Sequence, residues 1–299
     1  MADTFHHSDF SAGNLLQLKQ RSGETVTVAL PARNEAATIG SIVDQLVTEL
    51  VQKHKLVDEV LVLDDGSTDD TAAIARLAGA TVHQSSNIHP EFNRLLNKEI
   101  QGGKGEALWK LLRVSTGDIV IWCDADIRNF DTRFILGCLG PLLTHSNIGF
   151  MKGFYQRPLR DDGEGGGRVT ELVARPIIST LFPHLGHFVQ PLSGEFGGRR
   201  SILEAVPFSR GYAVDLALLI DISDKFGLHI INQVDLGTRV HRNRPLRELG
   251  PQATAILAMA LQKSDGKISG NQVDLLRPTV GDQTIQLGEL PPINSLEPY

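Results

Sequence analysis

Two cysteines, Cys123 and Cys138, are all that 299 residues contain. They cannot make a disulfide framework, which favours a reducing, cytoplasmic setting. No run reaches the roughly 18 apolar residues of a membrane span, and the longest candidate, near Tyr212–Ile222, is broken by Asp215 and Asp221. The N-terminus, with Asp3, His6 and His7 and no apolar run, does not read as a signal peptide. An excess of Lys and Arg is missing too. A formal net charge of -6 argues against nucleic acid or a membrane surface as partner, since both need cations in excess to neutralise phosphates. A small anionic substrate needs only a local basic cluster and stays open. Signatures of other enzyme classes are absent. There is no G-x-x-x-x-G-K-[ST] and no G-x-S-x-G, and Gly163-x-Gly165 is followed by Arg168 where the dinucleotide fingerprint needs Gly or Ala.

What is present suits a soluble α/β enzyme. Hydrophobic residues make up 41%, enough for a sizeable core, and the length fits one large domain or two of about 150 residues. In the first half, apolar strands alternate with helices. Strands are predicted at Thr25–Leu30, Glu59–Leu63, Thr81–His83 and Ile119–Cys123, with helices from Ile39 to Leu50, Ala72 to Ala78 and Lys104 to Val114. Ser67 and Thr68, followed by acids, look like the N-cap of the second helix. Continuous apolar strands separated by helices indicate a parallel sheet buried on both faces, with ligands beyond the carboxyl ends of the strands. The loops Pro31–Glu35, Asp64–Ser67 and Asp124–Asp126 fall at those ends and should converge on one crevice. The second half is less regular. Strands are expected at Ile148–Tyr155 and Ile230–Val234, and helices at Arg168–Leu181 (broken near Pro176), Val214–Phe226 and about Gln252–Gln262. Gln190–Gly198 reads as a loop and the C-terminal residues as an irregular tail.

Asp124-Ala125-Asp126 is the central feature. Two carboxylates after a buried strand can hold a hard divalent cation that also ligates substrate phosphates. An isolated Asp-x-Asp more often starts a loop or caps a helix, but this one is the third polar loop on a shared edge. Arg168, after glycines that let backbone N–H groups approach an anion, opens a helix whose N-terminus favours negative charge; a solvated loop arginine is the alternative. Arg239, Arg242, Arg244 and Arg247 form a basic cluster without an acid between them. It suits a diphosphate leaving group, or simply a solvated face. Glu195 reads as an acceptor-side contact, a helix cap or a structural salt bridge, and Trp109 and Cys123 as core.

A strand ending in Pro-x-x-Asn-Glu, a second ending in Asp-Asp-Gly-Ser-Thr-Asp and a third ending in Asp-x-Asp together resemble the GT-A glycosyltransferase fold. That fold is α/β, with a mainly parallel Rossmann-like sheet flanked by helices and a C-terminal acceptor-binding part. Gly167–Leu172, Gln190–Glu195, Gly211–Asp215 and His241–Arg244 resemble the glucosyl-3-phosphoglycerate synthases and the related mannosyl-3-phosphoglycerate synthases. The match runs from about Ser8 to about Leu261. The resemblance implies an N-terminal extension over 1–22, a nucleotide-sugar part over 23–160, an acceptor part over 161–265 and a tail over 266–299.

It also implies roles. Pro31, Ala32, Arg33, Asn34, Glu35 and Asp65 would contact the uridine, with Lys104 reaching toward the base or ribose-phosphate side. Asp124 and Ala125 would meet ribose and diphosphate, and Tyr212, Ala213, Val214 and Asp215 the hexose. Arg239 would meet the diphosphate. Asp126 and His241 would ligate Mg2+, Mn2+ or Co2+, and Gly167, Arg168, Val169, Thr170 and Asn243 would hold 3-phosphoglycerate. Asp126, Asp215 and Arg239 are the catalytic candidates, with Asp215 binding hexose hydroxyls rather than acting as a nucleophile. The expected activity is retaining transfer of glucose from UDP-glucose to the 2-hydroxyl of D-3-phosphoglycerate, opening glucosylglycerate and methylglucose-lipopolysaccharide synthesis, by a cytoplasmic homodimer. The glucosyl enzymes often carry Leu at the position of Arg33 and Glu at that of Asp215. Both departures fall in the donor pocket, so GDP-mannose is the alternative donor. A polyprenyl-phosphate sugar transferase or a nucleotide-sugar-binding regulator fits less well, because the tail is polar and the Asp-x-Asp intact.

Overall fold

Every residue of Val26–Ala32 except Pro31 is buried, since a strand covered by helices on both faces has no solvent side on which to alternate. In the computed structural model, which describes residues 3–88, 103–156, 167–240, 245–264, 271–275 and 283–296, this strand is near the centre of an eight-stranded sheet. The strands are β1 (Thr4–His6), β2 (Val26–Ala32), β3 (Glu59–Asp64), β4 (Thr81–Gln84), β5 (Ile119–Trp122), β6 (Phe150–Gln156), β7 (Phe196–Arg199), β8 (Phe208–Ser209), β9 (Ile231–Thr238), β10 (Gln272–Leu275), β11 (Gln283–Gln286) and β12 (Glu289–Leu290). Helices α1 (Ala12–Ser22), α2 (Ile39–Gln45, continued as a π-helix to Lys53), α3 (Thr71–Leu77), α4 (Lys104–Val114), α5 (Arg133–Thr144), α6 (Arg175–Leu181), α7 (Arg200–Leu203), α8 (Val214–Phe226) and α9 (Leu246–Lys263) surround it.

The sheet order is β1-β9-β6-β7-β5-β2-β3-β4. All neighbours pair in parallel except β7, which runs antiparallel between β5 and β6. Alternate side chains feed two apolar layers. Val120 and Trp122 join Trp109 of α4, Ile178 of α6, Leu218 of α8 and Met259 of α9. Ile119 and Ile121 join Leu15 of α1, Ile42 of α2, Ala75 of α3 and Phe134 of α5. Chain direction sets the site. The carboxyl ends of β2, β3, β5, β6 and β9 and the start of β7 share one edge of the sheet. From β2 the chain winds outward through β3 and β4, then returns to place β5 on the other side, so the order reverses between β2 and β5, where open α/β sheets bind ligands.

Most expected elements are present, with α4 and α8 at the predicted bounds. Several expectations need correction. Gln190–Gly198 is not all loop, because Phe196–Arg199 is β7. Its paired glycines hide a strand signal, yet they are what the insertion needs: a Cβ on Gly197 would stand 2.6 Å from the Val120 carbonyl oxygen, and one on Gly198 2.7 Å from that of Gly149. Ser67 and Thr68 do not cap α3, which follows Asp70 without a side-chain cap bond. Helix α9 begins at Leu246, before Pro251 rather than after it. The tail is not wholly irregular: β12 pairs antiparallel with β8, and β10 with β11.

Candidate active site

The first two loops are stitched together by side chains. Asn34 adopts φ 58, a left-handed conformation that Asn tolerates better than most residues. Its N–H donates to Ser67 Oγ at 2.9 Å, and its Oδ1 accepts the Thr68 N–H at 2.8 Å. The Glu35 N–H donates to Thr71 Oγ1 at 2.8 Å, and the Asp65 N–H to the Ala32 carbonyl at 2.9 Å. Asp69 takes hydrogen bonds from the Thr71 hydroxyl, which holds its carboxyl below the usual range. Ser67 and Thr68 are thus spent on joining loops. Thr38 Oγ1 donates to the Ala125 carbonyl at 2.6 Å, which ties the Asp-x-Asp loop to the same edge. Pro31, Ala32, Arg33, Asn34, Glu35, Asp65 and Ala125 therefore converge as expected, with Arg33 and Asn34 exposed.

Beneath this rim lies a cluster of ions. Lys104 Nζ stands 3.0 Å from Asp215 Oδ2 and 3.5 Å from Asp124 Oδ1. Arg239 Nη2 stands 2.9 Å from Asp124 Oδ2 and 2.6 Å from Asp126 Oδ1, while its Nη1 donates to the Tyr155 hydroxyl at 2.7 Å. Glu195, 0% exposed, has Oε1 3.6 Å from Arg239 Nε. Lys152, 1% exposed, lies with Nζ 4.2 Å from the Phe196 ring centroid and 3.4 Å from the Asp215 carbonyl. Burial is the largest influence on Asp215, Glu195 and Lys152. It pushes Asp215 and Glu195 up, against the pull of Lys104 on the one and Arg239 on the other. It pushes Lys152 down to about 8. Burial also opposes the charges of Lys104 and Arg239, but the surrounding carboxylates, led by Asp124 and Glu195 respectively, outweigh it and raise both.

Backbone close approaches fix these positions. A Cβ on Gly194 would fall 2.0 Å from Asp124 Oδ2, and one on Gly105 would fall 1.9 Å from the Ser209 carbonyl oxygen. Only glycine lets the segment before Glu195 cross the Asp-x-Asp motif and lets α4 settle on β8. Glu106, buried on α4, accepts from Arg210 Nε at 2.9 Å and from the Gly211 N–H at 3.0 Å. It thereby anchors the turn Gly211–Ala213, which contains Tyr212 and leads into α8, whose Asp215 meets Lys104.

The remaining expected residues divide. Gly167 has φ 90 and its carbonyl accepts the Glu171 N–H at 3.0 Å, so Arg168 does open a helical segment, with Val169 half-buried and Thr170 buried. Gly163 and Gly165, His241, Arg242, Asn243 and Arg244 lie outside the described residues. The basic cluster is not one face. Arg239 is buried among acids, whereas Arg247 is exposed on α9. Trp109 and Cys123 are core, the Trp109 Nε1 donating to the Pro291 carbonyl at 3.0 Å. Sequence reasoning missed Lys152, Tyr155 and Glu106. A lysine inside the apolar run Phe150–Tyr155 was the available signal for Lys152.

No group of three His, Cys, Asp or Glu that could hold a metal occurs among the described residues. The donor chemistry still fits a hard cation. Asp126 keeps 27% of its side chain exposed and has one oxygen on Arg239. A partly exposed carboxylate is what Mg2+ or Mn2+ uses when substrate phosphates complete its shell.

A family model described as glycosyl transferase family 2 matches residues 27–166. The glucosyl-3-phosphoglycerate synthase of Petrotoga mobilis is 44% identical over 275 residues, covering 90% of this chain and 83% of that protein. The crystal structure of the Mycobacterium tuberculosis glucosyl-3-phosphoglycerate synthase with Mn2+, UDP-glucose and phosphoglyceric acid superposes with a TM-score of 0.86 at 41% identity, covering 98% of each chain. The same enzyme with Mg2+ and UDP also gives 0.86 at 41% identity, covering 98% of this chain and 99% of that one. No helix among the described residues is long and apolar enough to cross a membrane.

Proposed function

This chain belongs to the glucosyl-3-phosphoglycerate synthases of glycosyl transferase family 2, and from that membership we propose that it moves glucose from UDP-glucose to the 2-hydroxyl of D-3-phosphoglycerate, releasing UDP. The observation that supports this most is the placement of Asp124 beside the Lys104–Asp215 pair, with Asp126 joined to Asp124 through Arg239, at the edge where the first two loops are joined. Pro31–Glu35 and Asp65 would hold the uridine, Lys104 would reach the ribose-phosphate side, and Asp124 and Ala125 the ribose and diphosphate. Asp126 and His241 would hold Mg2+, Mn2+ or Co2+, and the cation would neutralise charge on the departing diphosphate. Tyr212, Ala213, Val214 and Asp215 would face the glucose, and Arg239 the diphosphate side.

Gly167, Arg168, Val169, Thr170 and Asn243 would hold phosphoglycerate, with Arg168 offering a planar fork to phosphate or carboxylate. Retention follows if the acceptor hydroxyl attacks the face the diphosphate leaves. The bond from the anomeric carbon to the diphosphate breaks, the bond to the acceptor oxygen forms, and the hydroxyl proton passes to the diphosphate. The chain then has to orient two anions and stabilise leaving-group charge. A cytoplasmic location and a homodimer complete the proposal.

The test is direct. The purified protein is incubated with 3-phosphoglycerate, Mg2+ or Mn2+, and UDP-glucose, GDP-glucose or GDP-mannose in turn, and nucleoside diphosphate release is measured. UDP release that requires phosphoglycerate and cation is expected. Faster GDP release from GDP-mannose would make the chain a mannosyltransferase instead.

A further inference from the structure

Glu195 is completely buried and neither of its oxygens meets a full hydrogen-bond geometry; the Tyr155 hydroxyl is the hydrogen-bonding neighbour that favours its charged form. Arg239 Nε, 3.6 Å away, is likewise without an acceptor. The same guanidinium commits its other end to Asp124, Asp126 and Tyr155. The two charges therefore attract each other inside the protein without a directional hydrogen bond between Nε and Oε1, and a short approach of the guanidinium would complete one.

Asp126 Oδ1 is the oxygen on which Arg239 Nη2 sits at 2.6 Å, and Asp126 is the carboxylate proposed above to hold the divalent cation. A cation arriving there meets a guanidinium that cannot be expelled to water, because its side chain is only 2% exposed. Displaced from Asp126, it would keep Asp124 but lose one of its two close carboxylates while still buried. Glu195 is the further anion within reach, and a shift of under about 1 Å brings Nε into hydrogen-bond range.

We propose that Glu195 is a positioning residue that receives the Arg239 guanidinium when a divalent cation takes Asp126, so that cation and arginine share the acid cluster instead of competing for it. This rests on the reading of Asp126 as a cation ligand. It makes Glu195 a determinant of cation affinity although it is not itself a ligand.

A double-mutant cycle read by Mn2+ binding tests it. Calorimetry with Mn2+ alone, without sugar nucleotide or acceptor, is run on the wild type, Glu195→Gln, Arg239→Gln and the double variant. Circular dichroism and thermal melts confirm that each is folded. Glu195→Gln is expected to weaken Mn2+ roughly tenfold, and Arg239→Gln to tighten it by a similar factor. In the Arg239→Gln background the Glu195 substitution should change affinity by less than about twofold. A field effect of the Glu195 charge would persist without the arginine, so an undiminished effect there overturns the proposal, as does a wild-type affinity in Glu195→Gln. If Glu195→Gln does not fold, Glu195→Asp replaces it. The aspartate keeps the charge but withdraws it by one methylene, and its weakening must also vanish without Arg239. Wild-type turnover with UDP-glucose is followed separately. Turnover intact with no coupling sinks this inference alone, whereas loss of UDP release sinks the proposed function.

Discussion

Asp215 is a buried carboxylate of the ion cluster, and the proposed role for it is to hold a hexose hydroxyl rather than to act as a nucleophile. Its Oδ2 is held by Lys104 at 3.0 Å and Lys152 lies behind its backbone. The Oδ1 atom is buried without a hydrogen-bond partner and, in the proposed function, would be the acceptor for a sugar hydroxyl. Asp126 differs in being partly exposed, so Asp126→Asn should leave the fold intact while lowering turnover roughly a hundredfold or more. More phosphoglycerate should not rescue it, and full wild-type activity in chelator would refute the cation assignment. Arg168→Ala would remove the charge-assisted contact proposed with phosphoglycerate, worth about 1.5–3 kcal/mol, so use of phosphoglycerate should fall about ten- to 150-fold. UDP-glucose affinity by calorimetry should hardly move; equal loss of both would place the acceptor elsewhere. Arg33 is exposed on the rim. Arg33→Leu should therefore alter the ratio of glucose to mannose transfer without changing the melting temperature, and an unchanged ratio would remove Arg33 from donor choice.

At the scale of elements, the clip between α8, α9 and β12 has the clearest electrostatics. Lys263 Nζ stands 2.7 Å from Asp221 Oδ1 and also pairs with Glu289. Burial pushes the Asp221 carboxyl up to about 6, with Lys263 opposing. An acid whose folded value exceeds its ordinary value of 3.8 binds its proton more readily folded than unfolded. Its favourable share of stability is complete below the ordinary value and is lost as pH rises through about 6. Lys263→Met removes the opposing charge. Stability should fall by about 1.5–3 kcal/mol at pH 7, and the decline between pH 5 and pH 8 should steepen. Urea unfolding at the two pH values measures both. Parallel curves for variant and wild type would show that Asp221 is not the titrating group.

The C-terminal segment matters to the molecule as a whole because it joins the apolar layer that contains Trp109 and α8. Leu290 and Ile293 are buried, β12 pairs with β8, and the Arg210 N–H donates to the Gly288 carbonyl at 3.2 Å just before the turn that carries Tyr212 and Asp215. Deleting residues from 288 onward removes two core side chains, Leu290 and Ile293, whose burial is worth about 1.5–3 kcal/mol each, and strands the Trp109 N–H, whose acceptor is the Pro291 carbonyl. The expected result is a melting temperature lower by several degrees or more, with the KM for UDP-glucose rising before activity is lost. A truncated chain with wild-type KM would uncouple the tail from the donor pocket.

The β2, β3 and β5 strands and their loops were legible in the sequence because each is a local pattern. An apolar run must be buried on both faces, and the polar residues that follow must lie at its end. Helices α4 and α8 were legible for the same reason, their periodicity being complete within the segment. Three-dimensional pairing decided the rest. Nothing local distinguishes Gly197-Gly198 as strand residues, since what makes them so is the width of the gap between β5 and β6. Lys152, Tyr155, Glu195 and Arg239 meet across residues far apart in the chain. Their meeting depends on one antiparallel strand starting at the edge where the parallel strands finish. Sequence alone determined that the Asp-x-Asp carboxylates share that edge with the first two polar loops. Only the order and direction of the strands decided that a buried arginine stands between the Asp-x-Asp pair and Glu195, because long-range register sets which charges must neutralise one another once water is excluded.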